Sequence, residues 1–106
     1  MPTLDPDQPH DISIEVGCEM TARYRESELF NGLNGGFFGK KAVLDLLEQA
    51  DCVGVRYYYG VNGSNDPVLV LVGATAENTD IVEGKVLELS VPCPSVCDDS
   101  SPLTGN

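Results

Sequence analysis

Cysteine has the most reactive side chain in this sequence, and the chain holds four, at positions 18, 52, 93 and 97. Cys93 and Cys97 are separated by three residues, which lies within the spacing of paired ligands in structural zinc sites. The same pair can form a small-loop disulfide where an oxidant is present, or stay as free thiols in a reducing cytosol. The spacing lacks the two-residue separation of thioredoxin-like redox centres. A metal or redox site at Cys93 and Cys97 is therefore an alternative function, with the state of the two thiols left open.

A second chemical candidate is the glycine-rich segment that leads into two lysines, Gly35-Gly36-Phe37-Phe38-Gly39-Lys40-Lys41. A Walker A loop requires four residues between its glycines and a hydroxyl residue after the lysine, and this segment has neither. What remains is a weak anion candidate, Lys40 and Lys41, at the start of a predicted helix. The net charge of the chain opposes it.

Side chains for acid–base or nucleophilic catalysis are poorly placed. His10 is the sole histidine and lies in a proline-rich segment, which does not hold an imidazole against a nucleophile. Glu15, Glu19, Glu26 and Glu28 share one predicted helix, where carboxylates are usually solvated. We expect no catalytic residues, no cofactor and no enzymatic activity.

Arginine and tyrosine, which are enriched in binding hot spots, occur together in one predicted strand. Arg56 is the only charged residue in the run Val53–Tyr59. We expect it either to stack on Tyr58 or pair with a carboxylate of the first helix, or to contribute to an interaction surface. The predicted surface consists of Arg56, Tyr58, Leu69 and Leu71.

Hydrophobic periodicity predicts the elements that carry these residues. A first helix is expected from Ser13 to about Leu29, with Ser13 as its N-cap, and a second from Gly39 to Ala50. The segment Asn31–Gly36 between them is expected to be a loop. Three strands follow, at Val53–Tyr59, Val68–Val72 and Lys85–Val91, with Leu87, Leu89 and Val91 sharing a face of the third.

The dipeptide Asn62-Gly63 is the strongest short hairpin signal and predicts the pairing of the first two strands. A two-residue turn there places Val53 opposite Val72, Val55 opposite Val70 and Tyr57 opposite Val68. These residues are expected to form the core face of the sheet. Arg56, Tyr58, Leu69 and Pro67 then lie on the opposite face, which supplies the predicted interaction surface.

The predicted fold class is α+β, with two N-terminal helices packed on a three-stranded antiparallel meander. A length of 106 residues suits one domain. Six of the seven prolines fall within residues 1–10 or 92–106. We therefore expect a flexible arm at 1–10, a single domain at 11–91, and an extended arm with two cysteines at 92–106.

Composition limits the classes of partner. Seventeen acidic and six basic residues give a net charge of −11, which disfavours binding to nucleic acid or to anionic membranes. No stretch approaches the roughly 18 consecutive apolar residues of a membrane span, and the first residues do not form a signal peptide. We expect a cytoplasmic protein, although export that reads another signal would leave no trace here.

Five segments of the chain form a set: Phe38-Gly39-Lys40, Cys52 to Gly60 with its Arg-Tyr-Tyr-Tyr-Gly run, the Leu69-Val70-Leu71-Val72-Gly73 strand, the Pro92-Cys93-Pro94-Ser95-Val96-Cys97 segment, and Pro102-Leu103. Together they resemble a family of small bacterial proteins whose function is unknown. The resemblance covers about Ile12 to Leu103 and implies a single bacterial domain. It carries no catalytic or binding residue with it.

These observations favour a non-catalytic interaction module. The expected partner is another protein, or a second copy of the chain in a homodimer. The cysteine site at Cys93 and Cys97 is the alternative.

Overall fold

A computed structural model of the protein describes residues 2–88 and 90–105. Two α-helices and two antiparallel sheets are present, which confirms the α+β class. In the part of the chain that is described, no helix is long and apolar enough to cross a membrane. In chain order the elements are α1 (Ile14–Glu26), β1 (Gly35–Phe37), α2 (Lys40–Leu47), β2 (Cys52–Val61), β3 (Pro67–Thr75), β4 (Val86–Leu87), β5 (Val91–Cys93) and a short 3-10 helix (Pro102–Thr104).

The chain divides into two compact units, and each is built from two separate stretches. The first unit comprises Met1–Pro9 and Phe38–Ser90, and the second comprises His10–Phe37 and Val91–Asn106. These units do not coincide with the predicted division into an arm at 1–10, a domain at 11–91 and an arm at 92–106.

The second unit is organised around α1. As predicted, Ser13 caps this helix, and its hydroxyl accepts a hydrogen bond from the Val16 amide at 3.1 Å. The 3-10 helix packs on α1, and the Arg25 guanidinium donates to the Leu103 carbonyl at 2.9 Å.

The same unit holds a two-stranded sheet in which β1 pairs with β5. Gly35 and Gly36, predicted to belong to the Asn31–Gly36 loop, therefore form a strand together with Phe37. Residues 92–106 are likewise not a simple extended arm, because they contribute to β5 and form the 3-10 helix.

In the first unit, α2 packs on β2 and β3 and ends earlier than predicted. Its most buried side chain is Leu46, which is 1% exposed. The Gln49 side chain donates to the Leu46 carbonyl at 2.8 Å, and Asp51 has a left-handed φ of 65°. Both features turn the chain out of the helix before Cys52.

The main sheet has the order β2-β3-β4, so the predicted antiparallel meander is present. Among the described residues of the predicted third strand, Lys85–Val91, only Val86 and Leu87 pair with β3. Val91 instead pairs with Phe37 in the other sheet. Leu89, predicted to share the face of Leu87, lies outside the described residues.

The predicted register of β2 and β3 is wrong by three positions. Arg56 lies opposite Val72 rather than Leu69, and Tyr58 lies opposite Val70 rather than Pro67. The cause is the connecting loop: neither Asn62 nor Gly63 has the positive φ that a type I′ turn requires.

The Asn62 side chain organises this loop by accepting hydrogen bonds from the amides of Ser64 and Asp66, at 2.9 and 3.0 Å. The Asn62 amide donates to the Asp66 carbonyl at 3.0 Å, and Asn65 takes a left-handed φ of 66°. The result is a loop of three residues between Asn62 and Asp66, which is a common hairpin class.

A shift by an odd number of positions exchanges the faces of one strand relative to the other. The inner face of the hairpin therefore combines Arg56 and Tyr58 with the valines of β3, of which Val72 is buried. The expectation that Val55 and Tyr57 form the core face is wrong. They lie on the opposite face, together with Leu69 and Leu71.

Candidate interaction surface on the hairpin

The face of the hairpin opposite Arg56 is exposed and uncharged. We call it the outer hairpin face; it consists of Val55, Tyr57, Tyr59, Val61, Leu69 and Leu71. Five of these residues are exposed: Val55 by 50%, Tyr57 by 55%, Tyr59 by 82%, Val61 by 66% and, least of them, Leu69 by 39%. Contiguous apolar surface of this kind marks interaction sites more often than isolated exposed residues do.

Strand geometry assembles this face from residues that alternate along the sequence. Successive side chains of a strand point to opposite faces, so every second residue of β2 contributes. The rings of Tyr57 and Tyr59 contact edge to face, with centroids 5.6 Å apart and an interplanar angle of 82°. Aromatic pairs in this geometry attract each other, which favours a preformed platform over two independent side chains.

A polar cluster occupies the inner face. The Arg56 guanidinium donates from Nη1 to Oδ1 of Asp80 at 2.7 Å and from Nη2 to Oδ1 of Asn78. The Tyr58 hydroxyl donates to the second oxygen of Asp80. The partner of Arg56 is therefore Asp80, rather than a carboxylate of the first helix.

These contacts change the acidity of the two strand residues. The hydrogen bond to Asp80 raises the pKa of Tyr58 above its usual value, because ionisation of the phenol would place two negative charges together. The hydrogen bond to Asp80 also raises the pKa of the Arg56 guanidinium. The hydrogen bonds of this cluster connect β2 to the segment that follows β3.

The predicted interaction surface does not form one face. Arg56 and Tyr58 lie on the inner face and bond to Asp80, whereas Leu69 and Leu71 lie on the outer hairpin face. Sequence reasoning placed Val55 and Tyr57 in the core and left Tyr59 and Val61 unassigned. A signal for them was present: the four occupy the odd positions of β2 and are all large and uncharged, whereas the even positions between Gly54 and Gly60 hold two glycines and the charged Arg56 beside Tyr58.

The two C-terminal cysteines are joined. Cys93 and Cys97 form a disulfide with Cα atoms 4.8 Å apart, while Cys18 and Cys52 are free thiols. The Cys52 thiol donates to the Gly54 carbonyl at 3.2 Å. Within residues 2–88 and 90–105 no three potential metal-ligating side chains of His, Cys, Asp or Glu come together.

One of the two lysines of the anion candidate, Lys41, already forms an ion pair within the protein. Lys41 lies 2.8 Å from Asp45, one turn further along α2. This contact raises the pKa of Lys41 and lowers that of Asp45. Lys40 begins the helix after Gly39, whose N-cap position supplies no side-chain hydrogen bond. Nothing in this arrangement shows an anion site, and Lys40 and Lys41 stay a sequence-based prediction.

An open depression of about 340 Å³ lies beside the polar cluster. Three carboxylate residues line it, but both oxygens of Asp80 already accept hydrogen bonds from Arg56 and Tyr58. The lining residues are Ala50, Asp51, Thr75, Asp80, Ile81, Val82 and Glu83.

Comparison with family models, curated proteins and solved structures returns no match. The resemblance to the small bacterial family therefore stays a prediction, and the function must be argued from the surface itself.

Proposed function

We propose that this protein is a non-catalytic binding module that takes a protein partner on the outer hairpin face. The observation that carries the proposal is the exposure of Val55, Tyr57, Tyr59, Val61 and Leu69 on one face of a two-stranded antiparallel unit. Burying these side chains against a partner removes apolar surface from water, which is the main favourable term in protein association.

The residue types suit this role. Aromatic residues are enriched in the cores of interfaces, where charged residues are depleted. Tyrosine and valine have few rotatable bonds, so ordering them on binding costs less conformational entropy than ordering lysine or glutamate. The outer hairpin face therefore offers large contact area at low entropic cost.

Charge identifies the kind of partner. The chain has a net charge of −11, so electrostatic steering favours proteins that are neutral or basic at the contact site. Two copies of this chain repel each other through the same charge. The proposed partner is therefore a different protein with a basic surface, and a homodimer is an alternative outcome of the tests.

Selection from a displayed library of short random peptides tests the proposal. The bait is either the wild-type protein or the double variant Tyr57→Thr/Tyr59→Thr, in which threonine keeps a high strand propensity. Leu29→Ser is the matched control, because Leu29 is a strongly exposed apolar residue that does not belong to the hairpin strands. Far-UV circular dichroism confirms that each bait is folded, and Tyr59→Thr alone replaces the double variant should that variant unfold.

We expect peptides enriched in apolar and basic residues to bind the wild type and Leu29→Ser and to lose binding to the tyrosine variant. Enriched peptides that bind all three baits equally, or no enrichment on the wild type, would overturn the proposal. Light scattering of the wild type at rising concentration distinguishes a monomer from a homodimer, because a homodimer would show the mass of two chains.

The cysteine alternative gains no specific support. The disulfide uses the sulfur atoms of both Cys93 and Cys97, and metal coordination requires thiolates. A metal or redox role of this pair stays a sequence-based prediction, for which a thiol count is the direct test.

A further inference from the structure

Strand β2 forms one edge of its sheet. Its hydrogen-bonding neighbour is β3, and the sheet order β2-β3-β4 leaves its other side without a partner strand in the described part of the chain. An edge strand presents backbone amide and carbonyl groups that another chain can pair with. At ten residues, β2 is the longest strand of the fold.

Two contacts identify the backbone groups that point to this free side. The Asn62 amide donates to the Asp66 carbonyl, so the pair at the loop end bonds directly across the hairpin. The Gly73 carbonyl accepts from the Ile81 amide at 2.8 Å and therefore points away from β2, although Gly73 lies opposite Val55.

Antiparallel strands alternate between pairs that exchange hydrogen bonds and pairs that do not. Counting from Asn62, the backbone groups of Gly60, Tyr58 and Arg56 point towards β3. Those of Val61, Tyr59, Tyr57 and Val55 point towards the free edge. The position of Gly73 opposite Val55 agrees with this assignment from the other end of the hairpin.

The residues with outward-pointing backbone groups are therefore the residues whose side chains form the β2 part of the outer hairpin face. We propose, resting on the function proposed above, that the partner binds by strand addition along this edge. Its backbone pairs with Val55, Tyr57, Tyr59 and Val61, and its alternate side chains extend the outer hairpin face. Strand addition is an established mode of peptide recognition in which the backbone supplies affinity and alternate side chains supply specificity.

Charge determines which extended segment fits. Asp51 directly precedes β2, and Asp66 lies in the loop at its other end. A partner segment with lysine or arginine beyond both ends of its apolar stretch complements these carboxylates. A second copy of β2 in a two-fold antiparallel arrangement brings Asp51 of one chain towards Asp66 of the other. A basic extended segment is therefore favoured over self-pairing.

The test uses the synthetic peptide Lys-Lys-Val-Thr-Tyr-Thr-Val-Lys-Lys, with fluorescence anisotropy for affinity and NMR hydrogen exchange for the backbone. In the free protein, the amides of Arg56, Tyr58 and Gly60 should exchange slowly and those of Val55, Tyr57, Tyr59 and Val61 quickly. On saturation with peptide, exchange of the fast set should slow by about tenfold or more, because those amides gain hydrogen bonds.

Matched peptides separate backbone pairing from simple contact with the face. In the bound register, the valine and tyrosine amides of the peptide point to β2 and the threonine amides point away. N-methylation of the tyrosine should therefore weaken binding by about tenfold, and N-methylation of one threonine should change it little. Replacing the four lysines by glutamate should weaken binding by about tenfold or more at low salt.

The outcomes distinguish this inference from the function on which it rests. Binding that is lost in Tyr57→Thr/Tyr59→Thr but is equally sensitive to both N-methylations means face docking without strand addition, which overturns the inference and keeps the function. Failure of this peptide to bind, while library-selected peptides do bind, also overturns the inference. Slow exchange of all seven amides in the free protein, together with a dimeric mass, would show that the edge of β2 pairs with a second copy of the chain. That outcome would overturn the proposal of a basic extended segment as the partner.

Discussion

Arg56 and Asp80 are joined by a 2.7 Å contact between Nη1 and Oδ1, across 24 positions of sequence. Their side chains are only 29% and 19% exposed, so this pair is better shielded from water than the Lys41–Asp45 pair. It links β2 to the segment that returns from β3, and the same carboxylate accepts the Tyr58 hydroxyl. The inner face is thereby held by polar contacts, while the outer face is left open.

Replacing Arg56 by methionine should lower the melting temperature, because Asp80 and Asn78 lose the donor that connects them. Lys41→Met is the matched control: it also removes a cation from an ion pair, but that pair is exposed and lies within one helix, where such pairs stabilise little. Differential scanning calorimetry at neutral pH compares them. Equal melting temperatures for the two variants would contradict a structural role for the Arg56 cluster.

Tyr58 should make stability depend on alkaline pH. Its pKa is raised in the folded protein above the unfolded value of about 10, so its contribution is fully present below that pH and is lost as the pH rises through the folded pKa. Tyr58→Phe should therefore be less stable than the wild type at pH 8, and the gap should narrow above about pH 10. Thermal unfolding of both proteins at several values from pH 8 to above pH 10 measures this difference in stability.

The pH effect depends on the negative charge of Asp80. In an Asp80→Asn background, the difference between tyrosine and phenylalanine at position 58 should change less with pH. If the stability difference between tyrosine and phenylalanine at position 58 narrows equally with Asp80 and with Asp80→Asn, groups other than Asp80 cause the pH dependence.

Leu46 should be the most sensitive position of α2. It is almost completely buried, and truncating such a leucine to alanine typically lowers the free energy of unfolding by about 2–5 kcal/mol. Leu47→Ala serves as the control, because Leu47 follows directly in the same helix but is partly exposed. In urea unfolding, the free energy of unfolding should be clearly lower for Leu46→Ala than for Leu47→Ala. The reverse order would contradict the assignment of Leu46 to the core.

A methyl group at Gly84 should displace the Gln49 side chain. A Cβ at this position would lie 2.0 Å from Oε1 of Gln49, the atom that accepts a hydrogen bond from the Lys85 amide at 2.7 Å. Its φ is not in the left-handed region, so the conflict is one of space rather than backbone conformation. The Gln49 side chain can move aside but then gives up the hydrogen bond from the Lys85 amide, so Gly84→Ala should cost about 0.5–1.5 kcal/mol.

A double-mutant cycle checks this cause. In a Gln49→Ala background the conflicting side chain is absent, so Gly84→Ala should cost less, with a coupling of about 0.5–1.5 kcal/mol from urea unfolding. Strictly additive effects would show that Gln49 is not the obstacle.

The disulfide predicts a defined thiol count. Denatured but unreduced protein should react with Ellman's reagent at two thiols, Cys18 and Cys52, and at all four cysteines after reduction. Four reactive thiols before reduction would contradict the Cys93–Cys97 disulfide and leave both thiols available for the metal alternative. Elemental analysis of protein purified without chelator then decides between free thiols and bound zinc.

Local sequence determined much of the secondary structure. Ser13 marked the start of α1, because a serine hydroxyl in that position satisfies a free amide of the first turn. The leucine spacing marked α2, and the valine-rich and aromatic runs marked β2 and β3. The α+β class and the antiparallel meander followed from the order of these patterns.

Register and the partners of single residues were decided by tertiary structure. In Val68–Val72 apolar residues occupy both parities, so hydrophobic patterning cannot tell which face is inside. The choice was made by the Asn62 side chain, whose hydrogen bonds to Ser64 and Asp66 set the loop length. That loop shifts the pairing by an odd number of positions, brings Arg56 to the valine face beside Asp80, and leaves the tyrosines of β2 exposed.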